Sequence, residues 1–230
     1  MSTRMDEEDW AHTLTVFRAC LPRRGRKGED DRRFLEALHF FTLENVRWRA
    51  LPERFGRWNS VWKRFDRLSK AGVFEAFFDT LASMSSSAHL IQMFDSTIVR
   101  AHVSAAGAKG GKTRRREAAD APHFETLLDI GPDIQPRVVI CDKGYASKDN
   151  RAAARSRGVA PVIPYKANEK NKPAFFARTL YKARSRIEQG FGRLKRFKRI
   201  ALRCEKTARN FRSIVSFAAG LCLIKFVHTA

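Results

Sequence analysis

Three acidic residues at separate points of the chain have the sequence setting of metal ligands. Asp95 ends the apolar run HLIQMFD, Asp142 ends the run RVVICD, and Glu188 lies in the basic segment YKARSRIEQGFGRLKRFK. An unpaired carboxylate is costly to bury, so one that closes an apolar strand is expected at a site rather than in a core. Three carboxylates brought together would hold Mg²⁺, which prefers oxygen ligands. Two such ions clamp the attacking and leaving oxygens of a phosphodiester in an in-line displacement.

The charge of the chain indicates nucleic acid as the substrate. Lys and Arg number 45 against 24 Asp and Glu, a net charge of +21, and a strong positive field attracts polyanions. The excess is uneven, because residues 151–230 contain 20 basic residues and three acidic ones, Glu169, Glu188 and Glu205. Glu188 could instead form an ordinary helix ion pair with Arg184 or Arg193, and charge alone leaves both roles open.

Composition limits the class of protein. A chain of 230 residues that is 43% hydrophobic has enough apolar side chains for one large domain or two small ones. The cysteines lie far apart without CxxC spacing, which argues against a zinc site and against a disulfide framework and indicates buried thiols in a reducing cytoplasm. The run SIVSFAAGLCLIKFV is too short to span a bilayer and contains Lys225, so we expect a buried helix and no membrane partner. The four cysteines are Cys20, Cys141, Cys204 and Cys222.

Residues 1–84 predict an all-helical domain. Apolar residues recur at helical spacing over 6–20, over 32–46 after a cap at Asp30 or Asp31, over 58–71, and again after Gly72. Pro52 and Gly56 predict a tight turn before the third helix, so this region resembles a helix-turn-helix DNA-binding unit. The aromatic stripe that includes Trp62 is predicted to be core rather than a base-stacking platform. The basic residues on the third helix are Arg57, Lys63, Arg64 and Arg67.

Residues 85–230 predict an α/β domain. Strands are expected over 90–99, over 137–142, which should be fully buried, and over 159–165, where Pro161 and Pro164 favour an edge. Helices are expected over 123–130, over 148–157 with a stop at Gly158, from Phe175 to about Lys198, and over 209–227. Residues 102–122 read as a glycine-rich, charged loop.

Four positions in the basic segment carry a specific resemblance. Tyr181, Arg184, Glu188 and Lys195 are separated by two, three and six residues, which is the Y-(2)-R-(3)-E-(6)-K signature of insertion-sequence transposases of the DDE type. The segments FDSTIVRAH and CDKGYAS resemble the first and second aspartate motifs of those proteins. WRALPERFGRWNSV at 48–61 resembles the N-terminal motif of the insertion-sequence-five family.

The resemblance implies a fold, a metal and a set of roles. The fold is that of ribonuclease H, with Asp95, Asp142 and Glu188 as catalytic ligands of two Mg²⁺ ions, for which Mn²⁺ can substitute. The partner is double-stranded DNA, both transposon ends and target, bound by a homo-oligomer at the nucleoid of a bacterial cytoplasm. On one continuous helix the signature residues would share a face. The residues implied to contact DNA are Tyr181, Arg184, Arg193, Lys195, Arg196 and Lys198.

The interval between the two aspartates is shorter than this fold requires. Only 46 residues separate Asp95 from Asp142, and no two strands are recognisable among them. We therefore expect an internal deletion near 108–121 that removes the second and third strands and leaves the first, fourth and fifth in parallel. The expected function is DNA cleavage and strand transfer. An inactive remnant that still binds DNA is the alternative, and a nuclease of the same fold is a more distant one.

Overall fold

The computed structural model describes residues 3–23, 30–84, 91–94, 121–130, 135–169 and 172–227. In chain order, the helices and strands are α1 (Glu7–Ala19), α2 (Asp31–Glu44), α3 (Trp58–Lys70), α4 (Val73–Ser83), β1 (Ile91–Phe94), α5 (Phe124–Asp129), β2 (Val138–Cys141), α6 (Lys148–Ser156), β3 (Ala160–Val162), α7 (Arg178–Lys182), α8 (Ser185–Lys195), α9 (Lys198–Ala201) and α10 (Ala208–Val227).

These elements form two compact units. The helical unit contains the described residues up to Met84 together with those from Gly192 onward, and the sheet unit contains 91–94 and 121–191. The chain from Gly192 thus packs with the N-terminal helices, so the compact units do not coincide with the segments 1–84 and 85–230. The division into a DNA-binding domain and a catalytic domain at 84/85 stays a prediction.

The helix boundaries of the helical unit follow from capping residues. Asp6 and Asp9 form a capping box at the start of α1, and the Asp30 side chain accepts from the Arg33 N–H at 2.8 Å at the start of α2. Gly72, at φ +69°, adopts the left-handed conformation between α3 and α4. These starts and stops confirm the predicted helices of the N-terminal region.

The core of the helical unit is aromatic. Phe17, Phe41, Phe65, Phe77 and Phe217 are fully buried, one from each of the five longest helices of the unit. Helix α10 packs along α4, where a Cβ on Gly220 would clash with the Phe77 ring. Glycine at this position therefore permits the close approach of the two helices.

Helix α10 is the predicted buried helix near the C-terminus. Ile214, Leu221 and Ile224 lie in the core, and Lys225 forms an ion pair with the buried Asp9 at 2.5 Å. Within the described residues, none of the helices has the length and hydropathy of a membrane span.

The predicted helix-turn-helix geometry is wrong. Helices α2 and α3 are joined by residues 45–57, which include the 3₁₀ turns Trp48–Ala50 and Glu53–Phe55, whereas a helix-turn-helix uses a turn of about 3–4 residues. The connection folds back because Trp48 stacks on Phe41 of α2, with ring centroids 3.6 Å apart. Arg64, expected at DNA, instead bonds Asp31 of α2.

The sheet unit contains a small parallel sheet. The described strands have the order β1-β2-β3, with Phe94 opposite Cys141 and Ile140 opposite Val162. Strand β3 pairs only with β2 among these strands, which agrees with the edge position predicted from its prolines. The parallel pairing of β1 with β2 agrees with the expected neighbours.

One face of the sheet unit is closed by three rings. Phe94 of β1, Phe124 of α5 and Tyr145 after β2 are buried, with ring centroids 5.7–6.2 Å apart. The turn after β2 is thereby held against both β1 and α5, which restricts the position of the residue between strand and turn, Asp142.

Candidate active site and DNA-contacting residues

Asp142 lies at the carboxyl end of β2, as predicted. Val139, Ile140 and Cys141 before it are fully buried, whereas Asp142 is partly exposed. Its side chain caps the 3₁₀ turn Lys143–Tyr145 by accepting from the Gly144 N–H at 2.8 Å. A carboxylate with one such bond retains acceptor capacity on its other oxygen, so it can still bind a cation.

Asp95 lies outside the described residues, and so does most of the predicted loop over 102–122. The residue that precedes it, Phe94, is opposite Cys141, which precedes Asp142. The two predicted aspartates thus follow directly on paired residues of neighbouring parallel strands. The predicted convergence of Asp95, Asp142 and Glu188 stays a prediction.

The segment around Glu188 differs from its prediction. The single helix from Phe175 to Lys198 is wrong, because α7 ends at Lys182 and α8 begins at Ser185. Arg184 lies in the break, where its backbone N–H donates to the Tyr181 carbonyl at 3.0 Å. This i→i−3 bond makes a tighter turn than the i→i−4 bonds of an α-helix. Neither α7 nor α8 has a buried residue, so tertiary packing does not support one long helix.

Glu188 is exposed on the first turns of α8. Its carboxylate accepts from Arg184 at 2.9 Å, and its side chain is 57% exposed. The ion pair that the charge pattern left open therefore exists, and it leaves the carboxylate accessible to a ligand.

The charges of Arg184 and Asp142 both act on the pKa of a thiol at the end of β2. Burial raises the pKa of the Cys141 thiol to about 12, and a hydrogen bond with the Phe94 backbone opposes this rise. Two charges then act on the same pKa, since Asp142 raises it and Arg184 lowers it. The guanidinium of Arg184 thus acts on the pKa of the thiol that directly precedes Asp142 in the chain.

The described residues contain no group of three His, Cys, Asp or Glu side chains placed to hold a metal ion. Asp142 and Glu188 are nonetheless accessible carboxylates, and the donor type fits Mg²⁺. With Asp95 outside the described part of the chain, the three-ligand set implied by the resemblance is not assembled by the structure.

The residues predicted to contact DNA fall into two groups. Tyr181 and Arg184 belong to the sheet unit, where the Tyr181 ring packs against Phe176 at 5.4 Å. The others belong to the helical unit: Arg193 is half-buried, Lys195 and Arg196 are exposed, and Lys198 forms an ion pair with Glu44 at 2.8 Å.

The two other acidic residues of the basic C-terminal region have structural contacts. Glu169 pairs with the buried Arg151 at 3.0 Å, and Glu205 pairs with the buried Arg199 at 2.6 Å. Glu188 is therefore the exposed member of the three. Sequence reasoning missed both buried arginines, because a basic residue in a basic region carries no local signal of burial.

Comparison with known proteins identifies the family in two segments of the chain. Residues 5–78 match a family described as "Putative transposase of IS4/5 family", and residues 113–223 match the "Transposase DDE domain". The second segment contains Asp142 and Glu188, whereas Asp95 lies between the two matches.

Two relatives with transposase names agree with this assignment, and an uncharacterized protein is also similar. A 97-residue stretch is 41% identical to the uncharacterized protein y4sN of Sinorhizobium fredii, covering 40% of this chain and 76% of that protein. A 107-residue stretch is 38% identical to the "Putative transposase for insertion sequence element IS6501" of Brucella ovis, covering 46% of this chain and 80% of that protein. A 114-residue stretch is 34% identical to the "Putative transposase for insertion sequence element IS402" of Burkholderia cepacia, covering 46% of this chain and 50% of that protein. No solved structure matches. The chain belongs to the DDE transposases of the IS4/5 family.

Proposed function

We propose that this chain catalyses metal-dependent cleavage and strand transfer of DNA at the ends of an insertion sequence. Asp95, Asp142 and Glu188 are the proposed ligands of two Mg²⁺ ions. The observation that carries the proposal is the parallel register of β1 and β2, which sets Phe94 opposite Cys141. Side chains that follow the carboxyl ends of neighbouring parallel strands share one edge of the sheet.

Simple chain geometry supports the sharing of a metal. Consecutive Cα atoms are about 3.8 Å apart, and neighbouring strands are about 4.8 Å apart. Asp95 directly follows Phe94 in the sequence, as Asp142 follows Cys141. Two carboxylates separated by about one strand spacing can ligate the same ion or two adjacent ions.

Glu188 would complete the set by exchanging its ion-pair partner. Its bond to Arg184 is partly exposed, and pairs of this kind contribute only about 0.2–1 kcal/mol, so the carboxylate is easily released. Arg184 could then bind a phosphate through two parallel N–H bonds. Bound Mg²⁺ would supply charge stabilisation at the attacking and leaving oxygens of the phosphodiester.

We further propose that the sheet unit is a ribonuclease H-like domain without its second and third strands. The order β1-β2-β3, all parallel, is the order expected for the first, fourth and fifth strands. Residues 95–120, where the missing hairpin would fall, lie outside the described residues. The same proposal includes the DNA partners, which are double-stranded transposon ends and target. It also includes a homo-oligomer on DNA and a location at the nucleoid.

The test of the proposed activity is a cleavage assay on DNA that carries the element's own terminal repeats. We expect strand cleavage with Mg²⁺ or Mn²⁺ and none with EDTA, because the carboxylates cannot substitute for the ions.

A version with two strands restored between Asp95 and Asp142 should be more active. Catalysis requires the ligands to be held within about 0.5 Å of productive geometry, and a site on an edge strand is held less precisely than that. Binding without cleavage would instead support the inactive remnant.

A second expectation concerns the basic residues near the end of α8. Replacing Arg193, Arg196 and Lys198 by alanine should reduce the slope of log K against log salt by up to about 2.7, since each neutralised phosphate contributes roughly 0.9. Filter binding across a salt series measures this slope. The matched control, alanine at the exposed Lys148, Arg155 and Lys166, removes the same charge. Equal slopes for both triple variants would place the DNA footprint elsewhere.

A further inference from the structure

The helical unit contains an open cleft of about 620 Å³. Its walls come from the connection after α2, from α3 and from the chain between α9 and α10. The residues that matter for its chemistry are Arg47, Trp62, Cys204, Lys206, Thr207 and Asn210. This volume lies within the range of about 300–1,000 Å³ that is typical of ligand pockets.

The cleft is suited to an anion. Arg47 and Lys206 are exposed, and neither forms an ion pair with any residue that the structure describes. The acidic residue of the cleft wall, Glu205, is buried and neutralised by Arg199 at 2.6 Å. Two uncompensated cations therefore face an opening in which the carboxylate is already paired.

The N-terminus of α10 adds to the same preference. The Thr207 hydroxyl accepts from the Asn210 N–H at 3.2 Å, and the helix that follows is 20 residues long. The first N–H groups of a helix have no intrahelical acceptor, and the helix dipole favours negative charge at this end. With the two cations, this end can bind phosphate oxygens.

Trp62 provides a flat apolar surface beside these charges. Its side chain is 36% exposed, whereas Val61 and Phe65 on the same helix are buried. Its ring contacts no other aromatic ring among the described residues. An exposed indole beside phosphate-binding groups matches how proteins hold unpaired nucleic acid, with a base stacked on the ring.

We infer that this cleft binds one or two nucleotides of an unpaired DNA strand. Arg47, Lys206 and the start of α10 hold the phosphate, and Trp62 stacks on a base. A base inside a duplex already stacks on its neighbours and cannot present its face to Trp62, so the single strand is the preferred ligand. The inference rests on the proposed function insofar as it requires the chain to bind DNA.

Cys204 allows binding in the cleft to be measured directly. The full chain is treated with iodoacetamide, with and without a ten-nucleotide oligothymidine or a blunt duplex of the same length. Peptide mass spectrometry gives the alkylation rate of Cys204, and Cys20, which lies outside the cleft, serves as the internal control. At an oligonucleotide concentration about four times its dissociation constant, we expect the single strand to slow alkylation of Cys204 about fivefold, because the rate follows the fraction of chain left unbound, and to leave Cys20 unchanged.

Substitutions distinguish binding in the cleft from binding by the positive charge of the chain as a whole. Arg47→Ala with Lys206→Ala should weaken single-strand binding more than Arg23→Ala with Arg67→Ala, which removes the same charge from exposed positions outside the cleft. Trp62→Ala should weaken binding by about 5- to 150-fold, whereas Trp62→Phe keeps a stacking ring and should bind nearly as the native chain does. Fluorescence anisotropy of a labelled oligonucleotide gives these affinities.

The outcomes distinguish the inference from the function on which it rests. DNA binding without protection of Cys204 overturns the assignment of the cleft as a binding site and leaves the proposed function standing. The same holds if the two double variants lose equal affinity for the single strand. Equal protection by the duplex overturns the assignment to an unpaired strand. Failure of the chain to bind any DNA overturns both proposals.

Discussion

Asp142→Asn is expected to lower the rate of metal-dependent DNA cleavage by at least about 100-fold, because loss of an outer-shell partner alone costs roughly 10–100-fold at metal sites. DNA affinity should stay within about twofold, since phosphate contacts from basic side chains supply most of it. The asparagine oxygen can still accept the Gly144 N–H bond that Asp142 accepts at 2.8 Å. The substitution therefore removes charge from the strand end with little effect on the turn.

The matched control for this prediction is Asp149→Asn. Asp149 is an exposed carboxylate in the first turn of α6, a short distance along the chain from Asp142. It undergoes the same loss of charge but is not a proposed ligand. Cleavage is measured on end-labelled DNA with Mg²⁺, and binding is measured separately without metal. Full activity of Asp142→Asn, or equal losses in both variants, would contradict the proposed metal site.

Glu205→Ala is expected to lower the free energy of unfolding of the helical unit by about 3–5 kcal/mol, because removing one partner of a buried ion pair leaves an uncompensated charge. Arg199 donates to Glu205 at 2.6 Å, and the two side chains are only 10% and 6% exposed. The same guanidinium donates to the Val46 carbonyl at 2.9 Å and lies 3.8 Å from the centre of the Phe41 ring. It thus ties α9 to the end of α2.

Tryptophan fluorescence during urea unfolding reports this loss selectively. The chain has four tryptophans, and all of them, Trp10, Trp48, Trp58 and Trp62, lie in the helical unit. Glu44→Ala is the control, because it removes a carboxylate whose pair with Lys198 is exposed, and such pairs contribute about 0–1 kcal/mol.

A double replacement completes the test of the buried pair. Arg199→Met with Glu205→Leu should recover much of the lost stability, since well-packed apolar residues can replace a buried pair. A Glu205→Ala variant as stable as Glu44→Ala would contradict the assigned burial of the charge.

Short-range features of the sequence predicted most of the elements. The cap at Asp30, the stop at Gly72 and the buried run before Asp142 each depend on residues a few positions apart, and the structure has the expected boundaries. The signature from Tyr181 to Lys195 also depends on local spacing, and it indicated the family that the comparisons support. Local signals predicted the positions of these residues along the chain but not all of their contacts.

Helical spacing in the sequence gave a wrong prediction where tertiary packing was absent. The basic segment has helical spacing from Phe175 onward, yet the chain breaks between α7 and α8 because neither helix has a buried residue. Trp62 shows the converse, since its position in an aromatic stripe indicated the core, while the structure leaves it 36% exposed. Spacing defines a helix face, but the neighbouring helices decide how much of that face is covered.

What the sequence by itself determined is the family, the order of the elements and the carboxylates that are candidates for metal binding. The tertiary structure decided which acidic residues are already paired, where residues 192–227 pack, and which basic residues line the cleft. Arg199, for example, donates to Asn45, which lies 154 positions earlier in the chain. Contacts at such separations depend on how whole helices pack, and this packing energy is summed over many side chains rather than encoded in any short run of residues.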